Sequence, residues 1–170
     1  EEGNRYGDQL VLTIDVAVQH RMDELAGQSL EQHDADAVML LVADARNGDI
    51  LAYSSMPNFD PNTFYAYSEN QRRNRPISFI YEPGSVFKVF SISSFLELGV
   101  IYMDTMFQPS VGYVNYAQDF VIHDLGNYGR ITTAGIIKYS SNVGAAYASE
   151  TVPRDAFYQM IKLFGFGEKT

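Results

Sequence analysis

The stretch EPGSVFKVFSISSFLELG, residues 82–99, carries the clearest fold signal in this chain. Pro83 and Gly84 predict a turn, and Ser85 can cap a helix that begins there. The helix that follows is apolar on nearly every face, and Gly99 ends it. A helix with that pattern belongs in the interior of a protein. The stretch therefore predicts a buried central helix with a serine at its start.

Ser85 and Lys88 are three residues apart at the start of this helix, and residues with that spacing share a helix face. A serine hydroxyl is a weak nucleophile near neutral pH and needs a base beside it. A lysine amine desolvated by burial has a lowered pKa and can accept the proton. Backbone N–H groups at the helix N-terminus suit the oxyanion that forms when a hydroxyl attacks a carbonyl. The pair therefore predicts a nucleophilic serine with a lysine base.

A plainer interpretation stays open at this point. A serine three residues before a lysine arises by chance about once in a chain of this length, so Ser85 and Lys88 could be a capping residue and a surface lysine. Ser140 and Asn142 add a second signal, because a hydroxyl and an amide beside a helix break can point into one cleft. That motif, too, could be a simple helix cap.

Taken in order, EPGSVFK (Glu82–Lys88) and SSNVG (Ser140–Gly144) resemble the class B penicillin-binding proteins, whose nucleophile motif is Ser-x-x-Lys. The blocks LTID, ARNGDILAYSSMPNFDPN, RNRPISFIYEPGS and FGFG resemble further parts of the same family. The resemblance extends from Leu10 to Thr170, which is nearly the whole chain.

The resemblance implies a role for each of four residues. Ser85 would be acylated by a D-Ala-D-Ala stem peptide or a β-lactam, and Lys88 would take the serine proton. Ser140 would pass a proton toward the leaving amine, and Asn142 would orient Lys88 and the substrate amide. A second stem peptide would then accept the acyl group and form a peptidoglycan cross-link. The resemblance implies no cofactor.

The resemblance also implies a location and partners. The protein would act in the bacterial cell envelope, on the periplasmic face of the inner membrane, through an N-terminal anchor that is absent from this chain. Other cell-wall synthesis or division proteins would be its partners.

The family's third motif, Lys-Thr-Gly or Lys-Ser-Gly on an edge strand, is absent from the sequence. Lys169-Thr170 does not replace it, because it follows a helix stop without a strand pattern. We therefore expect residues 1–170 to be the N-terminal part of a single transpeptidase domain with an incomplete site.

Other functions remain to be weighed. Water could replace the acceptor amine, which would give a carboxypeptidase or a β-lactamase, and a β-lactam sensor would bind without transferring the acyl group. His123 and Asp124 could suggest a Ser-His-Asp triad, although adjacent residues on an extended segment face opposite ways.

The fold class that this pattern predicts is α+β, with a mostly antiparallel sheet flanked by helices. In the first half we expect a strand over Leu10–Ile14, a helix from Asp15 to about Gly27, and a loop over Gln28–Asp36. Asn-Gly between two apolar runs predicts a hairpin, and the continuous run Val38–Val42 predicts a strand covered on both faces.

In the second half, Thr132-Thr133 and Pro153 predict further helix starts, and Ser140-Ser141-Asn142 predicts a break between two helical segments. The cluster Arg72, Arg73 and Arg75 predicts a solvated loop.

Composition narrows the chemistry. The formal net charge of −9 argues against nucleic acid as a partner. The chain has no cysteine, and its histidines, His20, His33 and His123, are too far apart in sequence to suggest a metal site. No run is long and apolar enough to span a membrane.

Three geometric expectations follow. Ser85 Oγ should lie within about 3–4 Å of Lys88 Nζ. The side chains of Ser140 and Asn142 should converge on the same amine. Large apolar side chains should lie exposed where the rest of such a domain would pack.

Overall fold

The structure is a computed structural model that describes residues 9–109, 112–115 and 120–169. The chain divides into two compact units, Glu1–Ile80 and Tyr81–Thr170. Helices and antiparallel strands occur in both, so the predicted α+β class is confirmed. Within the ranges that the structure describes, the strands of the predicted sheet form separate two-stranded pairs. The elements of the first unit are α1 (Val16–Gln32), β1 (Val38–Ala43), β2 (Ile50–Met56), α2 (Glu69–Arg72) and α3 (Arg75–Ser78).

The first helix begins as predicted but ends later. The side chain of Asp15 accepts two backbone hydrogen bonds from the first turn of α1. The predicted end near Gly27 is wrong, and most of the predicted loop Gln28–Asp36 is helical. Half-buried Leu30 continues the packed face beyond the glycine, and the chain leaves the helix where Asp34 adopts a φ of +46°. Tertiary packing thus overrides the weak helix propensity of glycine.

The predicted strand Leu10–Ile14 is wrong, because this segment forms no ladder. Its hydrogen bond to β2 comes from a side chain, because Thr13 Oγ1 donates to the carbonyl of Ile50 at 2.6 Å. The next bond to β2 comes from the following residue, where the N–H of Asp15 donates to the carbonyl of Leu51 at 2.8 Å. Leu10 is largely exposed. An alternating pattern alone does not make a strand when no partner strand is in register.

The predicted hairpin is confirmed. β1 and β2 pair antiparallel, with Leu41 opposite Tyr53, and Gly48 adopts a φ of +81° in the connecting turn. The side chain of Gln19 holds the pair against α1, because its amide accepts from the N–H of Tyr53 at 2.8 Å and donates to the carbonyl at 3.0 Å. The prediction that both faces of the first strand are covered is wrong for the described chain, because Leu41 and Val42 are exposed.

The prediction that the arginine cluster is solvated is wrong for Arg75. Arg75 is only 3% exposed and begins α3. Its guanidinium donates to the carbonyls of Pro57 at 3.0 Å and Asn70 at 2.6 Å. These carbonyl acceptors make the burial of a cationic side chain tolerable. Arg75 thereby ties together the two ends of the segment between β2 and α3.

The second unit opens with one 3₁₀ turn, Gly84–Phe87, which runs directly into α4. Ser85 therefore lies inside this first turn. The prediction that its side chain caps the helix is wrong. The other elements of this unit are α4 (Lys88–Glu97), β3 (Met106–Phe107), β4 (Tyr113–Asn115), β5 (Phe120–Ile122), β6 (Ile131–Thr132), α5 (Thr133–Lys138), α6 (Asn142–Glu150) and α7 (Arg154–Leu163).

One face of α4 forms the core of the second unit. Ile92 and Phe95 are buried in a hydrophobic cluster to which several elements of this unit contribute. The rings of Phe95 and Phe157 pack edge-on, with their centroids 5.1 Å apart. The expectation that α4 is buried on nearly every face is wrong for the described chain. Val86 and Val89, at the start of the helix, are 70% and 52% exposed. The helix ends at Gly99, as predicted, where φ is +67°.

The predicted helix break is confirmed. Thr132 caps α5 through its side chain, and α6 begins at Asn142. Between them, Ser140 has a φ of +53°, in the left-handed region that non-glycine residues rarely adopt. Pro153 stands directly before α7 rather than at its first position.

Large apolar side chains are exposed in the second unit, most of all Leu125, Leu163 and Val86. That such side chains mark where the rest of a domain would pack stays a prediction. Within the described residues, no helix is long and apolar enough to cross a membrane. The same part of the chain contains no group of three or more His, Cys, Asp or Glu side chains that could hold a metal ion.

Two helical glycines offer a matched test of this packing. A Cβ on Gly135 would lie 2.8 Å from Ile131 Cβ, whereas a Cβ on Gly27 would meet nothing within 4 Å. We expect Gly135→Ala to lower the free energy of unfolding by about 1–3 kcal/mol through overpacking. Gly27→Ala should raise it by up to about 1 kcal/mol through better helix propensity. Chemical denaturation of the two variants measures both, and equal effects would contradict the packing described.

Candidate active site

A serine hydroxyl and a lysine amine meet at the start of α4. Lys88 Nζ lies 3.1 Å from Ser85 Oγ, within the distance expected from the sequence. The contact follows from local geometry, because side chains three apart eclipse one another on a 3₁₀ turn. Ser85 is exposed, so its hydroxyl is open to a substrate.

Four oxygen atoms surround the Lys88 amine. The carbonyl of Ser140 and Oδ1 of Asn142 each lie 2.6 Å from Nζ, and the hydroxyls of Ser85 and Ser140 each lie 3.1 Å away. The expectation that Ser140 and Asn142 converge on this amine is therefore confirmed. Two of these oxygens can only accept, whereas both hydroxyls can also donate.

A neutral amine has two N–H groups and one lone pair. In that state the two N–H groups can be donated to the nearer, acceptor-only oxygens of Ser140 and Asn142, which leaves the lone pair for the hydroxyl of Ser85 or of Ser140. This geometry suits an amine that exchanges protons with either hydroxyl.

The left-handed turn at Ser140 makes this arrangement possible. Its positive φ turns both the carbonyl and the hydroxyl of Ser140 toward Lys88. The neighbouring amide is oriented by a second contact, because Asn142 Nδ2 donates to the carbonyl of His123 at 3.2 Å. That carbonyl can only accept, so it holds the NH₂ end of the amide and leaves Oδ1 for the lysine.

Asp124 is a site residue that the sequence reasoning missed. Its Oδ1 accepts from the N–H groups of Asn142 at 2.5 Å and Val143 at 3.0 Å, and its Oδ2 accepts from Ser141 Oγ at 2.6 Å. Asp124 entered the sequence analysis only as a possible triad member beside His123. Ser85 Oγ instead pairs with lysine, and His123 contributes its backbone carbonyl. No local spacing could reveal this carboxylate, because it lies 17 residues before Ser141.

A cleft of about 480 Å³ opens beside the amine. Lys88 and Asn142 stand on one side of it, and Tyr113 and Ile122, from the strand pair β4–β5, stand on another. The cleft continues along α6 past Ala145. An extended ligand could therefore lie between this strand pair and α6 with a carbonyl near Ser85.

Comparison with known proteins identifies the family. The family described as "Penicillin binding protein transpeptidase domain" matches residues 38–170 of the chain. The chain belongs to this family. The resemblance to penicillin-binding proteins seen in the sequence is thereby confirmed.

Named relatives agree with the family match. Penicillin-binding protein PbpB of Mycobacterium tuberculosis is 31% identical over 168 residues, which is 97% of this chain and 24% of that protein. Peptidoglycan D,D-transpeptidase FtsI of Escherichia coli is 26% identical over 161 residues, covering 95% of this chain and 27% of that protein. The chain thus spans about a quarter of the length of these relatives.

Solved structures share the fold. Penicillin-binding protein 3 of Mycobacterium tuberculosis superposes with a TM-score of 0.82 at 31% identity, over 92% of this chain and 35% of that one. The transpeptidase domain of Burkholderia pseudomallei penicillin-binding protein 3 gives a TM-score of 0.81 at 26% identity, over 96% and 45% of the two chains.

The electrostatic setting of Lys88 in this transpeptidase-family chain has two opposing parts. Burial lowers the pKa of the Lys88 amine, and the negative charge of Asp124 acts in the opposite direction. Desolvation is the larger effect, so the net shift is downward. The amine consequently loses its proton at a lower pH than an ordinary lysine does, as a proton acceptor must.

The left-handed conformation of Ser140 can be tested by stability alone. Ser140→Gly and Ser140→Ala both remove the hydroxyl, but only glycine adopts a positive φ without strain. We expect the glycine variant to be more stable by about 1 kcal/mol in chemical denaturation. At Ser149, an exposed residue within α6, the order should reverse, because alanine is the better helix former. Equal stabilities at Ser140 would show that the turn does not need a positive φ.

Proposed function

We propose that this chain is part of a peptidoglycan D,D-transpeptidase in which Ser85 forms an acyl-enzyme with D-Ala-D-Ala stem peptides and with β-lactams. The observation that carries the proposal is the Lys88 amine, which lies 2.6 Å from two acceptor-only oxygens and 3.1 Å from the hydroxyls of Ser85 and Ser140. Membership of the transpeptidase family supports it. Relatives support it as well. FtsI of Escherichia coli is named a peptidoglycan D,D-transpeptidase, and structures of the related Mycobacterium tuberculosis protein are complexes with aztreonam and ampicillin.

In the proposed acylation, Ser85 Oγ attacks the carbonyl carbon between the two D-alanines while Lys88 takes the serine proton. The backbone N–H of Ser85 supplies one donor to the oxyanion. The C–N bond then breaks, and the proton passes from Lys88 through the Ser140 hydroxyl to the leaving amine. Terminal D-alanine departs, and an ester to Ser85 remains.

In the second half-reaction, the amine of a neighbouring stem peptide attacks that ester. Its proton returns along Ser140 and Lys88 to Ser85, and the new amide is the cross-link. Asn142 holds Lys88 in place through both steps and contacts the substrate amide. Because the substrate is the cell wall, we propose that this chemistry takes place in the bacterial cell envelope, on the periplasmic side of the inner membrane.

The nucleophile is tested by labelling the complete protein with a fluorescent penicillin. We expect wild type to gain one stable covalent adduct on Ser85, seen by mass spectrometry of the labelled peptide. Ser85→Ala should abolish the adduct. Ser93→Ala, an exposed serine on the same helix, should leave it unchanged.

Two results would count against the transpeptidase. An adduct that turns over rapidly would indicate a β-lactamase. Acylation by the penicillin without transfer between stem-peptide analogues would indicate a sensor. Labelling at another serine would contradict the assignment of Ser85.

The base is tested by Lys88→Arg, which keeps the positive charge but cannot accept a proton. We expect the acylation rate to fall by about a thousandfold, the usual contribution of a general base. In wild type the rate should rise with pH as Lys88 loses its proton, with a midpoint below the usual lysine pKa because burial lowers it. A wild-type rate in the arginine variant, or a midpoint at the ordinary lysine value, would contradict the assignment.

A further inference from the structure

Every oxygen of the Asp124 carboxylate is engaged by the start of α6. Oδ1 receives two backbone N–H groups, from Asn142 and Val143, and Oδ2 receives the hydroxyl of Ser141. That hydroxyl accepts in turn from the N–H of Gly144 at 2.8 Å. Asp124 thus satisfies, directly or through Ser141, three of the backbone donors that a helix N-terminus leaves free.

These contacts act on the atoms around Lys88. Ser141 is fully buried, and it stands between Ser140 and Asn142, which supply three of the four oxygens around the amine. Asn142 is bonded to Asp124 by its backbone and to Lys88 by its side chain. Ser140 stays in a strained left-handed conformation, which persists only when its surroundings impose it. The anchored turn on its C-terminal side is such a constraint.

We propose that Asp124 is a positioning residue for acyl transfer, whose carboxylate anchors the start of α6 and so holds Ser140 and Asn142 against Lys88. The inference rests on the proposed function, because it takes Ser85 as the nucleophile and Lys88 as the base. It adds a residue on a separate segment, after β5, on which the geometry of the base depends.

The charge of Asp124 has a second effect. The three donors to the carboxylate are neutral, so its negative charge remains to act on Lys88, where it raises the pKa against the larger effect of burial. Loss of the charge therefore lowers the pKa of Lys88 further. In a variant without this charge, the acylation rate should therefore begin to rise at a lower pH than in wild type.

Several other titratable side chains of the second unit have partners of their own. Tyr113 lines the same cleft and hydrogen-bonds to Glu150. Lys138 lies over the ring of Tyr139, and Lys162 pairs with Glu168. Tyr147 donates to the carbonyl of Gly112 at 2.9 Å. Among the described residues, Asp124 supplies the charge that acts on Lys88.

Two substitutions separate anchoring from charge. Asp124→Asn keeps an oxygen for the two backbone donors and an amide for Ser141, but it removes the charge. Asp124→Ala removes the anchor as well. Asp155→Asn changes the net charge by the same amount at an exposed residue in the first turn of α7, a helix that contributes no side chain to the four oxygens around Lys88.

The experiment measures the rate of acylation of the complete protein by a fluorescent penicillin across a pH series. We expect Asp124→Asn to shift the rise of the rate to lower pH by about half a unit or more, with a plateau within about tenfold of wild type. Asp124→Ala should lower the plateau by about a hundredfold, as small misplacements of catalytic groups do. Asp155→Asn should match wild type in both respects.

The outcomes distinguish the two proposals. If wild type is not acylated at Ser85, the proposed function fails. If wild type is acylated but Asp124→Asn keeps its pH profile and Asp124→Ala keeps its plateau, the role of Asp124 is overturned. Should Asp124→Ala not fold, Ser141→Ala removes the Oδ2 contact together with the bond from the Gly144 N–H, and it leaves both Oδ1 contacts in place. A wild-type rate in that variant, with an unshifted profile in Asp124→Asn, overturns the proposal equally.

Discussion

The Lys88 amine, partly removed from water and ringed by four oxygens, is the feature on which the second unit depends. A lysine side-chain nitrogen that loses solvent needs hydrogen-bonding partners from the protein instead. Here they come from its own turn through Ser85, from the helix break through Ser140 and from α6 through Asn142. A separate segment supplies the opposing charge through Asp124. The contacts that surround the Lys88 amine are therefore also contacts that hold the elements of this unit together.

The rest of the unit keeps that amine in place. Phe95 and Ile92 fasten α4 to the core of the unit. The approach of Gly144 to Ser141 Oγ, where an added Cβ would come within 2.9 Å, lets α6 start directly against the break. The strained conformation at Ser140 is kept by these neighbours, as is common where function needs a particular backbone geometry. Nucleophilic catalysis requires a rigidly held base and a hydroxyl that substrate can reach.

Turn and capping residues allowed much of the fold to be predicted. Gly48, Gly99 and Thr132 each stand where their chemistry suggested, because a positive φ or a side-chain cap is a local property. The errors have a common origin. Gly27 stays helical and Arg75 is buried, since each is compensated by contacts from elsewhere in the unit. Propensity and charge predict only what a segment prefers when nothing else binds it.

The contacts of the site also fall into local ones, which could be predicted, and long-range ones, which could not. The Ser85–Lys88 pair could be predicted from local spacing, because two residues three apart on a helical turn lie side by side. The resemblance also indicated that Ser140 and Asn142 would join them. Tertiary packing alone brings a carbonyl from 52 residues away against the amine and bonds Asp124 to the turn that presents it. Contacts at such separations depend on how whole elements pack, and no local spacing encodes them.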